Sequence, residues 1–388
     1  MRSPLLSMGF RPFYVGAAIF AALAVPAWYG AYAGFLPLHG PLPGLAWHAH
    51  EMVFGFAPAV IGGFLLTAVR AWTGHLTLEG TALAGLVILW IAGRLLLLTG
   101  PDTLAVVVDL TFLPLLTAAL AAPLWRSSNW RNAFVVPLLL VLWALSATHH
   151  GAYRGWVDPV WAMRSHTAAL DLVALLLAVI GGRIIPNFSA NAVAGLNPRR
   201  WPVVEALAIG SLALLILLEI TGLAERLPMW GMRALFGGAG AIHLIRLLGW
   251  KPWAIRGNVL LVVLPLGYLW LPVHLALRAV FDFMPGTMSP LALHALSTGA
   301  MAGLMLAMMT RSALGHTGRP LTAGRGETFM FVSIHLAALA RVAGPLVWPA
   351  AYVSWLGLSA LLWMLAFGAF AVVYAPIVAR PRLDQPAA

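Results

Sequence analysis

The 388-residue chain contains no cysteine and one lysine, and only 9% of its residues are charged. The lack of cysteine excludes disulfides, thiolate metal sites and thiol redox chemistry, so any metal must be held by histidine, methionine or carboxylate. A soluble domain carries about 25% charged residues, and this chain has too few to cover a water-facing surface. Low-complexity segments are absent, as are a Gly-rich phosphate loop, a nucleophile triad and paired acid/base carboxylates.

What is present is apolar. Hydrophobic residues make up 61% of the chain, and mean hydropathy is +0.90. Spans of roughly 20 apolar residues fall at 13–33, 50–72, 79–99, 102–124, 131–149, 160–182, 203–222, 228–249, 256–281, 288–311, 328–347 and 350–378. This predicts an all-α polytopic membrane protein of about twelve transmembrane helices, the first a retained span rather than a signal peptide. The net charge of +11 comes from scattered arginines at span ends, with no basic patch, so nucleic acid is not an expected partner.

With the N-terminus cytoplasmic, the inner segments hold sixteen Lys and Arg residues and the outer segments hold Arg154, Arg164, Arg226 and Arg278. That asymmetry supports the helix count and puts both termini in the cytoplasm. Many of the seventeen tryptophans, Trp28 and Trp156 among them, stand near span ends as an interfacial belt.

A repeat of four helices is also legible. Helices 2, 6 and 10 begin with His50, His166 and His294, and both His166–Arg183 and His294–Arg311 span 17 residues, about 25 Å of helix. The expectation is one membrane domain in a pseudo-threefold 4+4+4 arrangement, with repeats at 1–125, 126–250 and 251–388.

By this topology His48, His50, His149, His150, His166, His274 and His294 lie toward the outer face, along with loop residue His39. His75, His243, His316 and His335 lie inward. Imidazoles from facing helices are what a haem or copper site in a bundle requires; the plain alternative for each is a wet helix-end histidine. His48 and His50 diverge on a continuous helix unless His48 is in the preceding loop, and His149 and His150 diverge similarly. One ligand per doublet is expected, the other hydrogen-bonding around it.

Arg94, Asp109, Asp171, Arg233 and Arg341 lie within spans, with Glu51 at the rim. They must face the interior, where Arg94, Arg233 and Arg341 either neutralise haem propionates or pair with acids to lock helices together. His243 and His335 read as core histidines. The methionines Met301, Met305, Met308 and Met309 read as packing rather than a copper relay. Polar turns at Trp72-Thr73-Gly74, Arg183 through Asn187 and Phe188, and Arg311 through His316 to Arg319 form an inner-side cluster, read as a binding motif or a cytoplasmic cap.

These residues resemble the NnrS family. The resemblance covers nearly the whole chain: Trp47-His48-Ala49-His50-Glu51-Met52, Gly63-Phe64-Leu65-Leu66-Thr67-Ala68, Trp72-Thr73-Gly74, Gly182-Arg183-Ile184-Ile185-Pro186-Asn187-Phe188, and Met308-Met309-Thr310-Arg311 through Gly315-His316-Thr317-Gly318-Arg319-Pro320. One departure is Val69-Arg70-Ala71, where relatives more usually carry a Pro-Asn-like pair. The resemblance implies a bacterial inner-membrane protein of nitric oxide metabolism, linked to denitrification and to protection against nitrosative stress. It also implies haem, expected to be b-type, and copper, with cofactor ligands among His48, His50, His149, His150, His166 and His294. Binding and turnover of nitric oxide are both compatible with it, and turnover needs an electron donor outside the chain.

The 4+4+4 plan is also similar to the core subunit of haem-copper oxidases and nitric oxide reductases. Their adjacent-histidine motif in helix 7 is missing here, since 203–222 contains no histidine. A reading from another class is a transporter for a small ion, metal or metabolite, with the buried Arg, Asp and His residues forming its path.

Overall fold

The computed structural model describes residues 3–282 and 289–383, and among these the chain is almost wholly helical, with no strand. Eleven helices are long and apolar enough to cross a membrane, which makes this a membrane protein. They are α1 (Phe10–Tyr32), α2 (Gly44–Thr73), α3 (Gly80–Thr99), α4 (Asp102–Arg126), α5 (Val135–Tyr153), α6 (Val160–Ala192), α7 (Pro202–Thr221), then α9 (Val259–Phe281), α10 (Pro290–His316), α11 (Arg325–Val347) and α12 (Pro349–Val378). The twelfth long helix, α8 (Met229–Gly249), is not among the eleven; Arg233, His243 and Arg246 dilute its apolar run. Helices dominate because a chain in lipid must satisfy every backbone polar group within itself.

Three helices differ in extent from the sequence expectation. α2 starts six residues before His50, so His48 is helical and not in a loop. α6 runs on through Pro186 to Ala192, and α10 runs to His316. The polar runs at Arg183–Phe188 and Arg311–His316 are therefore helix, not turns. Near Pro186, Ser189 Oγ donates to Ile185 O at 2.9 Å, and Arg200 Nη2 donates to Arg183 O at 3.3 Å and to Asn187 Oδ1 at 2.7 Å. Trp72-Thr73-Gly74 ends α2, with Gly74 at φ 71° donating its N–H to Arg70 O, and Thr317-Gly318 turns the chain after α10, with Gly318 at φ 73°. A left-handed residue of this kind is the common helix stop.

Two helices change their winding at a histidine. π-helical turns cover Glu51–Phe56 in α2 and Ala295–Met301 in α10, beginning directly after His50 and His294. A π turn takes in an extra residue and shifts the face presented by everything beyond it, and such turns gather at functional sites.

The chain divides into two compact units. The first comprises Met1–Ala169, Met309–Pro320 and Phe367–Ala388; the second comprises Leu170–Met308 and Leu321–Ala366. In the first, α1 packs on α2 where Gly63 has no side chain: a Cβ there would stand 2.9 Å from that of Phe13. In the second, α9 and α10 meet at Gly267, where a Cβ would be 3.1 Å from Leu304. Small residues at crossings are how membrane helices approach without a hydrophobic driving force.

The buried Arg11 ties α1 to the end of α12. Its Nη1 donates to Val378 O at 2.6 Å and to Arg380 O at 2.7 Å, capping carbonyls that the helix end leaves open. Arg11→Met removes both charge-assisted bonds and should cost about 2 kcal/mol of stability, read as a lower midpoint in thermal unfolding of the detergent-solubilised protein.

Candidate metal centre

Five helices of the first unit contribute polar groups to one buried cluster. α2 supplies His50 and Glu51, α3 supplies Arg94, α4 supplies Asp109, α5 supplies His149 and His150, and α6 supplies His166. His50, Glu51 and His150 are fully buried, and Asp109 and Arg94 nearly so. One ligand atom each from His50, Asp109 and His150 lies within 4.8 Å of the others, a spacing that fits one metal ion.

The charges of the cluster do not cancel. Arg94 Nη1 lies 2.8 Å from both carboxylate oxygens of Glu51, and its Nη2 bonds Asp109 Oδ1. One guanidinium thus faces two carboxylates, leaving one negative charge. Within reach of that charge is His50, with Nε2 3.2 Å from Asp109 Oδ2 and Nδ1 3.4 Å from Glu51 Oε1. A buried, uncompensated charge is costly. A cation between His50 Nε2 and Asp109, either a proton or a metal ion, balances the site.

Arg94 reaches Glu51 because residue 55 is glycine. A Cβ on Gly55 would overlap Arg94 Nη1 and stand 2.9 Å from Glu51 Oε2. The carbonyl of Gly55 also accepts from Trp90 Nε1 at 2.9 Å. The π turn of α2 therefore presents a histidine, a carboxylate and bare backbone to the site within six residues.

Hydrogen bonds set the histidine tautomers. Arg154 Nη1 lies 3.2 Å from His150 Nδ1, and since arginine only donates, Nδ1 accepts. The proton of His150 is then on Nε2, donated to Asp109 Oδ2 at 3.0 Å. Arg154 is itself held by Asp102, Nε to Oδ2 at 3.0 Å. His149 is oriented the other way: Nδ1 donates to Ala162 O at 3.2 Å, leaving Nε2 bare and without a hydrogen-bond partner. A backbone carbonyl on Nδ1 is the usual way a protein prepares Nε2 for a metal. Nδ1 of His166 is likewise without a hydrogen-bond partner. Ring centroids place His50 4.5 Å from His150 and 5.7 Å from His149, and His149 6.3 Å from His166.

A family model described as NnrS protein matches residues 4–382. The chain belongs to the NnrS family. No curated protein matches it.

Of the site residues expected in this NnrS chain, His50, His149, His150, His166 and Arg94 come together in the first unit. The expected divergence of His149 and His150 is smaller than anticipated. The inward direction at the end of α5 falls between the two positions, and each ring leans toward His50 from its own side. His48 points elsewhere and stacks on Trp28 with centroids 4.2 Å apart. His294 is in the second unit, its Nδ1 2.6 Å from Pro290 O one turn earlier. Arg233 and Arg341 are also in the second unit, where Arg341 Nη2 donates to Tyr352 OH at 3.3 Å. Arg94 pairs with acids, the second of its two expected roles.

The motif residues Trp72, Arg311, His316 and Arg319 are in the first unit and Arg183 and Asn187 in the second. The ring of His316 packs against Phe10 at 5.6 Å, and Trp72 O accepts from Asn129 Nδ2 at 3.0 Å. His243 and His335 each have one ring nitrogen engaged, by Tyr268 OH at 2.7 Å and Trp270 Nε1 at 3.2 Å.

Sequence reasoning missed Arg154 and Asp102. The available signal was spacing: Arg154 follows His150 by four residues and so lies on the same helix face.

Arg94→Gln leaves two buried carboxylates without their cation and should destabilise by about 3–5 kcal/mol. Adding Glu51→Gln should recover much of that loss, measured as a double-mutant cycle on thermal unfolding in detergent.

Proposed function

We propose that this NnrS protein holds a transition-metal centre in its first unit and uses it to bind or turn over nitric oxide, protecting the cell from nitrosative stress. The observation that carries the reading is the buried His50–Asp109–His150 group in a chain whose family is tied to nitric oxide. His50 Nε2 and Asp109 Oδ2 are 3.2 Å apart and carry an unbalanced negative charge, and imidazole with carboxylate suits borderline transition metals. Copper fits this donor set. His149 and His166, each with an unpartnered buried nitrogen, would hold the iron of a b-type haem. Bound iron or copper would supply a coordination site for nitric oxide and a change of oxidation state.

The chain's own residues do the rest. His150, kept as an Nε2–H donor by Arg154, orients Asp109 rather than ligating while that contact lasts. Arg94 bonds both carboxylates and holds them in place. Arg233, Arg341 and His294 belong to the second unit and are not assigned to this first-unit centre. Nitric oxide, small and apolar, arrives through the bilayer, whereas electrons for turnover come from a donor outside the chain.

In this reading the protein is a single domain in a bacterial cytoplasmic membrane. It has twelve spans in three groups of four, with both termini cytoplasmic and the histidine ends of α2, α6 and α10 outside.

The test is a visible spectrum and metal analysis of the detergent-purified protein, expressed with haem and copper supplied. A Soret band that shifts when nitric oxide is added after dithionite reduction is expected, together with bound copper. His50→Ala and Asp109→Asn should each lower metal retention by about 10–100-fold. Wild-type protein free of haem and copper overturns the reading.

A further inference from the structure

The second unit contains a histidine prepared in the same way as His149. His274 of α9 is 1% exposed, and its Nδ1 donates to Ala292 O of α10 at 2.7 Å. That bond fixes a proton on Nδ1 and leaves Nε2 without a hydrogen-bond partner, the nitrogen open to a metal ion. Nε2 is directed at a buried carboxylate: Asp171 Oδ1, from α6, lies 3.8 Å away. This is too long for a hydrogen bond. It matches two ligands that share one metal ion, each about 2.1 Å from it.

The charges around this pair repeat the arithmetic of the first unit. Arg278 bonds Asp171 Oδ2 through Nη1 at 3.2 Å and Asp282 Oδ2 through Nε at 2.7 Å. The guanidinium is held over the Phe236 ring, 4.2 Å from its centroid. Again one arginine faces two carboxylates, beside an imidazole nitrogen that has no hydrogen-bond partner. Since Arg278 occupies the other oxygen, Oδ1 of Asp171 is presented to His274. Nitrogen and oxygen donors of this kind select borderline divalent ions over calcium or magnesium.

We infer that His274 Nε2 and Asp171 Oδ1 form a second site, separate from the His50 cluster, that binds a divalent first-row transition metal such as Cu(II), with Arg278 as its positioning residue. The inference goes beyond the proposed function and does not rest on it, because it uses no residue of the first unit.

The experiment is Cu(II) binding to the full-length, detergent-purified protein after stripping with chelator. It is followed by equilibrium dialysis with metal analysis and by electron paramagnetic resonance. Wild-type protein is expected to take up two equivalents of copper in two distinguishable signals. His274→Ala and Asp171→Asn should each remove one equivalent and the same signal, while Asp109→Asn removes the other. If His274→Ala or Asp171→Asn fails to fold, His274→Gln and the wild-type spectrum decide. A single Cu(II) component in wild type whose uptake His274→Gln leaves unchanged overturns the second site. Loss of that component in Asp109→Asn would at the same time leave the first-unit reading intact, so the two can fail separately.

Discussion

The arrangement of the first unit depends on one guanidinium shared by two carboxylates where water is scarce. A buried arginine without acids, or buried acids without their arginine, would leave a charge in the bundle uncompensated at a cost of several kcal/mol, about 3–5 for a broken pair. The contact fixes three helices at once, since the partners come from α2, α3 and α4. It also dictates local chemistry that has no charge of its own. Gly55 must be glycine for Arg94 to approach, and Trp90 must donate to the carbonyl that the approach exposes. The excess negative charge then determines what the nearby imidazoles face.

The second unit reaches a similar balance from different helices. Arg278 serves Asp171 and Asp282 as Arg94 serves Asp109 and Glu51. In both units a histidine near the acid has its Nδ1 proton given to a backbone carbonyl, Ala162 for His149 and Ala292 for His274. A third arginine system is built for anchoring. Arg246 donates to both oxygens of Glu205, to Ala178 O and to Tyr268 OH, over Gly182. All three guanidinium nitrogens donate, so its charge is absorbed within the network.

Much of this was legible in the sequence. Apolar runs gave the helices, because lipid permits few alternatives to a helix. Buried charges such as Asp109 and Arg94 could be singled out, because a charge within an apolar run must find company. Their partners could not be read, since rotation about a helix axis leaves no trace in hydropathy. The π turns were equally hidden: Glu51–Phe56 reads as ordinary helix, and the extra residue appears only in the hydrogen bonding. The run from Arg183 to Phe188 suggested a turn because of Pro186. The helix nevertheless continues through it to Ala192, which a local reading of the proline does not show. His149 and His150 looked divergent because adjacent positions on a helix diverge, yet both rings stand near His50.

The pairing of Arg94 with Asp109 also bears on how the chain enters a bilayer. Only Gly100 and Pro101 separate α3 from α4, and the two charged residues are 15 positions apart on facing helices. Inserted one at a time, each helix would carry a lone charge into hydrocarbon. Entering together as a hairpin, they go in already neutralised. Paired entry of α3 and α4 thus spares Asp109 the cost of an unpaired charge in hydrocarbon, while Arg94 also has Glu51 of the preceding helix.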